Sequence, residues 1–261
     1  MASLGERFLA KRKTLGLITG MLIFIIGLAI GLAFTGLAAL SGLDGMSFWG
    51  YPEAITYDPT IGTDARLTGL KCPSLITNKD TGIIRIKVTN PTDKQIKPWV
   101  QAMISMPGEP EQLIRHKQEL LLEPGETKVL TWQVSSDNRI NDRIVIARIY
   151  LLNTQYHPPS ITRHCGIIAL DLDDLTGNQL LAGLIGASLI GMAAGIALWW
   201  HSSSMKMLLN HGVINIMIWL GIIVVLSTLA ILSGLWLLSG ILLIILILSF
   251  VSIFESSFLP H

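Results

Sequence analysis

Charge is what this chain of 261 residues has least of: Asp, Glu, Lys and Arg make up only 14% of it, where a soluble domain carries about 25%. Cysteine is scarce as well, with two residues and no CxxC pair or Cys/His cluster. A Gly-rich phosphate loop, a zinc-protease histidine pair, a nucleophile elbow and a haem-attachment motif are all missing. These absences exclude a soluble enzyme, a nucleic-acid binder and a disordered chain. They lead us to expect no catalysis and no cofactor.

The charges that do occur are gathered in one place. Residues 42–177 hold 14 of the 19 cations and 16 of the 18 anions, leaving five and two for the other 125 residues. A membrane-spanning helix needs about 20 apolar residues, because the hydrocarbon core is about 30 Å thick and each residue rises about 1.5 Å. Residues 14–41 and 178–200 carry no charge, and 212–254 is an uncharged run long enough for two spans. Ser233-Gly234 and Ser239-Gly240 bracket the turn it needs. The reading is four transmembrane helices, 14–41, 178–200, 212–232 and 236–254, with an all-β domain at 65–177 inserted between the first two.

Orientation follows from the cations. Arg7, Lys11, Arg12 and Lys13 precede the first span and Lys206 sits in the 201–211 loop, so both belong in the cytoplasm. The N-terminal 1–13 and the tail 255–261 are then inside, residues 42–177 outside, and the protein is a multi-pass plasma (inner) membrane protein. The apolar core of the first span, at about 26 residues, exceeds the 7–15 of a cleaved signal, so it is expected to stay as a signal anchor. Asp171, Asp173 and Asp174 stand just before the second span and are expected to complement its positive N-terminus; calcium binding is the alternative for three close carboxylates.

Residues 42–64 are expected to form an aromatic linker at the headgroup level. Phe48, Trp49 and Tyr51, with Trp199, Trp200 and Trp236 elsewhere, fit the interfacial belt; a contact surface for a partner or pigment is the alternative.

From about residue 65 the period changes from helical to two. In 82–90, Ile84, Ile86 and Val88 share one face while Arg85, Lys87 and Thr89 share the other. Further extended runs follow at 95–106, up to 122, 127–134, 143–152 and 162–170, separated by Asn90-Pro91-Thr92-Asp93, Pro107-Gly108, Pro124-Gly125, 137–141 and Pro158-Pro159. About seven short strands with regular turns predict a β-sandwich. Thr89-Asn90-Pro91-Thr92-Asp93, then Leu122-Glu123-Pro124-Gly125-Glu126 leading into Leu130-Thr131-Trp132, resemble bacterial immunoglobulin-like domains of surface and membrane proteins. The resemblance covers about 100 residues and implies an immunoglobulin-like sandwich used for adhesion or assembly. Cys72 and Trp99 depart from the antibody-type cysteine-to-tryptophan spacing.

Cys72 and Cys165 both fall in the outer segment, where an oxidising compartment favours one disulfide. A bridge closing so long a loop is worth about 4–5 kcal/mol on the chain-entropy account. Glu109, Glu111, Glu119, Glu123 and Glu126 lie near turns, where carboxylates are ordinarily solvated. The span interiors contain no ionisable residue and Asn215 is their most notable polar group, which argues against ion-coupled transport. His201 and His211 bracket the inner loop near Met205 and Met207. They are weak candidates for haem, chlorin or metal ligation, the alternative being two histidines on a wet loop.

Small residues recur at every fourth position in two spans: Gly27, Gly31, Thr35 and Ala39 in the first, Gly183, Ala187, Gly191 and Gly195 in the second. Such ridges let backbones approach closely, so the two helices are expected to pack on each other, another subunit being the alternative. The expected partners are the bilayer and other integral membrane subunits, with no nucleic acid and no small-molecule substrate. The expected function is a non-catalytic structural or assembly subunit of a membrane complex. A receptor or adhesion protein binding through the sandwich is the alternative, and a pigment- or haem-associated subunit the third reading.

Overall fold

The computed structural model describes residues 4–48, 65–107, 112–152, 161–203 and 212–258. Among the described residues the order is α1 (Leu4–Phe48), β1 (Arg66–Lys71), β2 (Leu75–Thr77), β3 (Gly82–Thr89), β4 (Trp99–Met106), β5 (Gln112–Glu119), β6 (Thr127–Val134), β7 (Ile144–Leu152), β8 (Ile161–Leu170), α2 (Gly177–Ser202), α3 (Gly212–Leu232) and α4 (Trp236–Phe258). The chain divides into two compact units, Met1–Leu37 with Leu181–His261, and Ala38–Leu180.

In the second unit a three-stranded sheet runs β1-β3-β6 and a five-stranded sheet runs β2-β8-β7-β4-β5. All pairings are antiparallel except the parallel one between β2 and β8. The alternation of β3 works as the period of two requires: Ile84, Ile86 and Val88 are buried while Arg85 and Lys87 are exposed. These residues, Leu67 and Val134 from the first sheet share one core with Val100, Ala102, Ile104, Val145, Leu151 and Ile167 from the second. Truncating one such side chain, Ile86→Ala for example, costs about 2–5 kcal/mol through lost transfer energy and the cavity left behind. Cys72, one residue past β1, is bonded to Cys165 in the middle of β8, which joins the two sheets across that core.

Two features differ from the sequence expectation. There are eight described strands rather than about seven, because β2 has only three residues and so displays no period. The linker expected at 42–64 does not begin at 42. Helix α1 continues to Phe48, since the first proline downstream is Pro52 and Asp44 gains an ion pair with Arg143 at 3.5 Å. The rest of that segment, with Trp49 and Tyr51, lies outside the described residues.

Among the described residues three helical stretches are long and apolar enough to cross a membrane: Lys13–Gly45, Gly177–Ser202 and Val213–Leu232. In α4 the apolar run among the described residues is shorter, Trp236–Ser249. Helices α3 and α4 are joined at Ser233-Gly234-Leu235. Gly234 takes a positive φ of 77° and its N–H donates to Ile231 O, while Leu235 N–H donates to Ala230 O; a left-handed glycine closes many helix C-termini this way. Deeper in the hairpin the buried hydroxyls of Ser227 and Ser239 bond to each other at 2.5 Å.

Candidate functional site

The chemistry of this chain is concentrated where the β-unit holds the ends of two helices. The first contact is at the end of α1. Ser41 Oγ lies 3.4 Å from Gly166 O, and a Cβ added to Gly166 would sit 1.8 Å from Ser41 O. Gly45 repeats the approach one helical turn on, its Cβ position being 3.1 Å from Gly166 N. Helix and strand meet backbone to backbone, which is possible because no side chain stands between them.

The second contact is at the start of α2. Asp80 Oδ1 accepts from Thr77 N–H and Thr77 Oγ1, both at 2.9 Å, and Asp80 Oδ2 accepts from Gly177 N–H at 2.9 Å. The one Thr77 hydroxyl proton is shared with Leu175 O, at 2.6 Å the shorter of its two contacts. Thr176 and Gln179 complete a capping box: Gln179 N–H donates to Thr176 Oγ1 at 3.3 Å and Thr176 N–H to Gln179 Oε1 at 3.0 Å. The helix N-terminus is thus met by an acid 97 residues earlier in sequence. The acids expected there do something else. Asn78 Nδ2 bonds Asp171 Oδ1 and, at 3.1 Å, Asp173 Oδ1; Lys79 Nζ donates to Asp174 O at 2.6 Å; Arg139 lies 3.9 Å from Asp171. They fasten the β8–α2 connection to the β2–β3 turn. No acidic residue stands in the first turn of α2.

Asn90 organises the opposite turn region and is fully buried. Its Nδ2 donates to the carbonyls of Lys94, Leu122 and Glu123, and its Oδ1 accepts from Thr92 N–H and Oγ1. Its own backbone pairs with Glu126 and Gly125. The two sequence stretches that carry the immunoglobulin-like resemblance are therefore bonded to one another through this one amide.

On the outward side of β4, β5 and β7, Lys117 Nζ stands 4.7 Å from the centroid of the Trp99 ring and Arg148 Cζ 5.5 Å from that of Tyr150. Burial pushes the Tyr150 phenol above its ordinary value near 10, and the positive charges of Arg148 and Arg115 pull it part of the way back.

The small-residue ridges are only partly brought together. In the helical unit, Cβ positions of Gly27 and Gly191 fall 2.7–3.0 Å from backbone atoms of the opposing helix, and those of Gly20 and Gly195 do the same farther along. Ser188 Oγ donates to Gly27 O at 2.8 Å, and Gly31 faces Ser188 and Val224. Thr35 is buried and turns its hydroxyl to Gly31 O, and Ala39 is buried as well. Gly183 and Ala187, by contrast, are exposed, and Gly183 has nothing within 4 Å. Four residues overshoot a helical turn by about 40°, so a strict every-fourth row drifts off the contact line. The line actually used on α2 is Ser188, Gly191, Met192 and Gly195.

His201 is exposed in the last turn of α2, while His211 lies outside the described residues along with Met205 and Met207. Trp199 packs against the helical core, Trp200 is exposed, Trp236 is half-buried, and Phe48 ends α1. Among the described residues no group of three or more His, Cys, Asp and Glu converges as a metal would require.

No protein-family model matches the chain, and no curated protein sequence matches it. Among solved structures the chain is similar to a CARDB domain from Pyrococcus furiosus crystallised with two metal ions, at 14% identity, covering 42% of this chain and 99% of that one with a TM-score of 0.32. A β-glucosidase from Listeria innocua matches at 11% identity over 41% of this chain and 16% of that enzyme, TM-score 0.31. An alkylpurine DNA glycosylase from Pseudomonas fluorescens matches at 8% identity over 42% and 31%, TM-score 0.31. The chain spans well under half of either enzyme, and similarity at this level assigns neither activity nor ligand to it.

Proposed function

We propose that this chain is a structural or assembly subunit of a larger membrane complex, non-catalytic, with four spans and both termini in the cytoplasm. Residues 42–177 then form an external immunoglobulin-like sandwich that makes protein contacts. One observation carries the reading: the β-unit grips the end of α1 through Gly166 and Ser41 and the start of α2 through Asp80 and Gly177. The helix ends at both attachment points are thus bonded into the domain itself rather than joined to it by free linkers, which suits a part built for assembly. The charge-free spans and the cations at 7–13 and 206 support the orientation. Purification of the tagged full chain from its native membranes in mild detergent tests the proposal. Stoichiometric integral-membrane partners are expected, and a lone protomer would overturn it.

A further inference from the structure

The outward face of the β1-β3-β6 sheet carries four cations, Arg66, Lys71, Arg85 and Lys87, and no Asp or Glu. All four are exposed, and none forms an ion pair among the described residues. They occupy an area of about 5 by 14 Å, given strand spacings near 4.8 Å and two-residue steps near 7 Å. Lys71 stands directly opposite Arg85, an arrangement that repels and costs stability.

That pairing is made by a backbone device. Between Thr68 and Lys71 the register slips by one residue, with Gly69 at a φ of 61°. Without the extra residue, strict alternation from Arg66 would turn Lys71 toward the core. The bulge instead turns it outward, beside Arg85, and so completes a carboxylate-free basic face at the expense of ladder regularity. The other outward positions are mostly threonines, with Ile83 and Val129 exposed among them. Guanidinium forks match carboxylates bidentately. Short hydroxyls and exposed aliphatic groups beside them suit a protein surface better than a wholly hydrophilic polymer or a layer of headgroups.

We propose that this face docks an acidic protein surface, a stretch of another subunit that presents Asp and Glu side chains to Arg66, Lys71, Arg85 and Lys87. The inference rests on the subunit reading above and adds the face and the partner's charge.

The test uses the full chain in native membranes with a photo-crosslinking residue in place of Val129, alone and combined with Arg85→Glu and Lys87→Glu. A crosslink to a co-purifying subunit is expected, mapping to a segment containing Asp or Glu. The charge reversal is expected to lower its yield about tenfold, and reversing the mapped acids should restore it. If the doubly reversed chain fails to fold, judged by its disulfide and its thermal midpoint, Arg85→Ala with Lys87→Ala takes its place. A crosslink to lipid alone, to a segment without acids, or one insensitive to the charge change overturns the proposal. Partners that still co-purify in that case leave the subunit reading standing, whereas a wild-type chain without partners removes both.

Discussion

Gly166→Ala is the sharpest test of how the β-unit holds α1. The new Cβ would lie 1.8 Å from Ser41 O, 2.5 Å from Ser41 C and 3.2 Å from Ile144 Cδ1. A comfortable carbon–oxygen contact is about 3.3 Å, so helix and strand must separate by roughly 1.5 Å. The two closest atoms are backbone, and no rotamer change can relieve them. Separation also breaks the long Ser41 hydroxyl contact with Gly166 O, which is secondary because the same hydroxyl donates to Ala38 O at 2.9 Å. Overpacking of this kind costs about 1–3 kcal/mol. At about 2–4 °C per kcal/mol for a unit of this size, the midpoint should fall by roughly 2–12 °C. The measurement is a thermal melt of the full, disulfide-bonded chain in detergent, followed by near-UV circular dichroism. Gly45→Ala should cost less, because its closest contact is 3.1 Å, and Gly36→Ala, with nothing within 4 Å, should cost nothing. An unchanged midpoint for Gly166→Ala, or a loss equal at all three sites, would refute the backbone contact.

Asp80→Ala leaves Thr77 N–H and Gly177 N–H without their acceptor and should cost about 2–4 kcal/mol; faster amide exchange at those two residues, with β6 unaffected, is the signature. Asn90→Ala removes an amide whose two protons serve three carbonyls and whose oxygen accepts two bonds, and it should cost at least about 3 kcal/mol, read as a lower denaturant midpoint for the β-unit. Gly195→Leu should separate α1 from α2 and abolish an engineered crosslink between Gly20 and Trp199 positions, whereas Gly183→Leu, on the open side of α2, should leave that crosslink at wild-type yield.

What the sequence made legible was what repeats locally. The alternation of Ile84, Ile86 and Val88 showed β3 and its buried face, because a period of two is written in consecutive residues. The uncharged runs marked the helices, and two cysteines in the charged segment left one bridge to make. Long-range pairings were hidden. Asn90 was visible as a turn residue, but its grip on Leu122 and Glu123 depends on how the turns meet in space. Asp80 carried no signal, since its partner Gly177 is 97 residues away, and acids adjacent to the helix drew the inference instead. The small-residue ridge was legible on α1 and misaligned on α2, where counting by fours ignored the helix's true turn.

The parallel pairing of β2 with β8 sets an order of events during synthesis. The N-terminal edge of the five-stranded sheet can be built only once residues 161–170 exist, because β8 lies between β2 and β7. Cys72 waits for the same strand, and Asp80 waits for Gly177. A chain whose synthesis has stopped at residue 152 therefore holds its hairpins but cannot close the domain. Completion coincides with the arrival of α2, so the β-unit and that apolar helix become committed together.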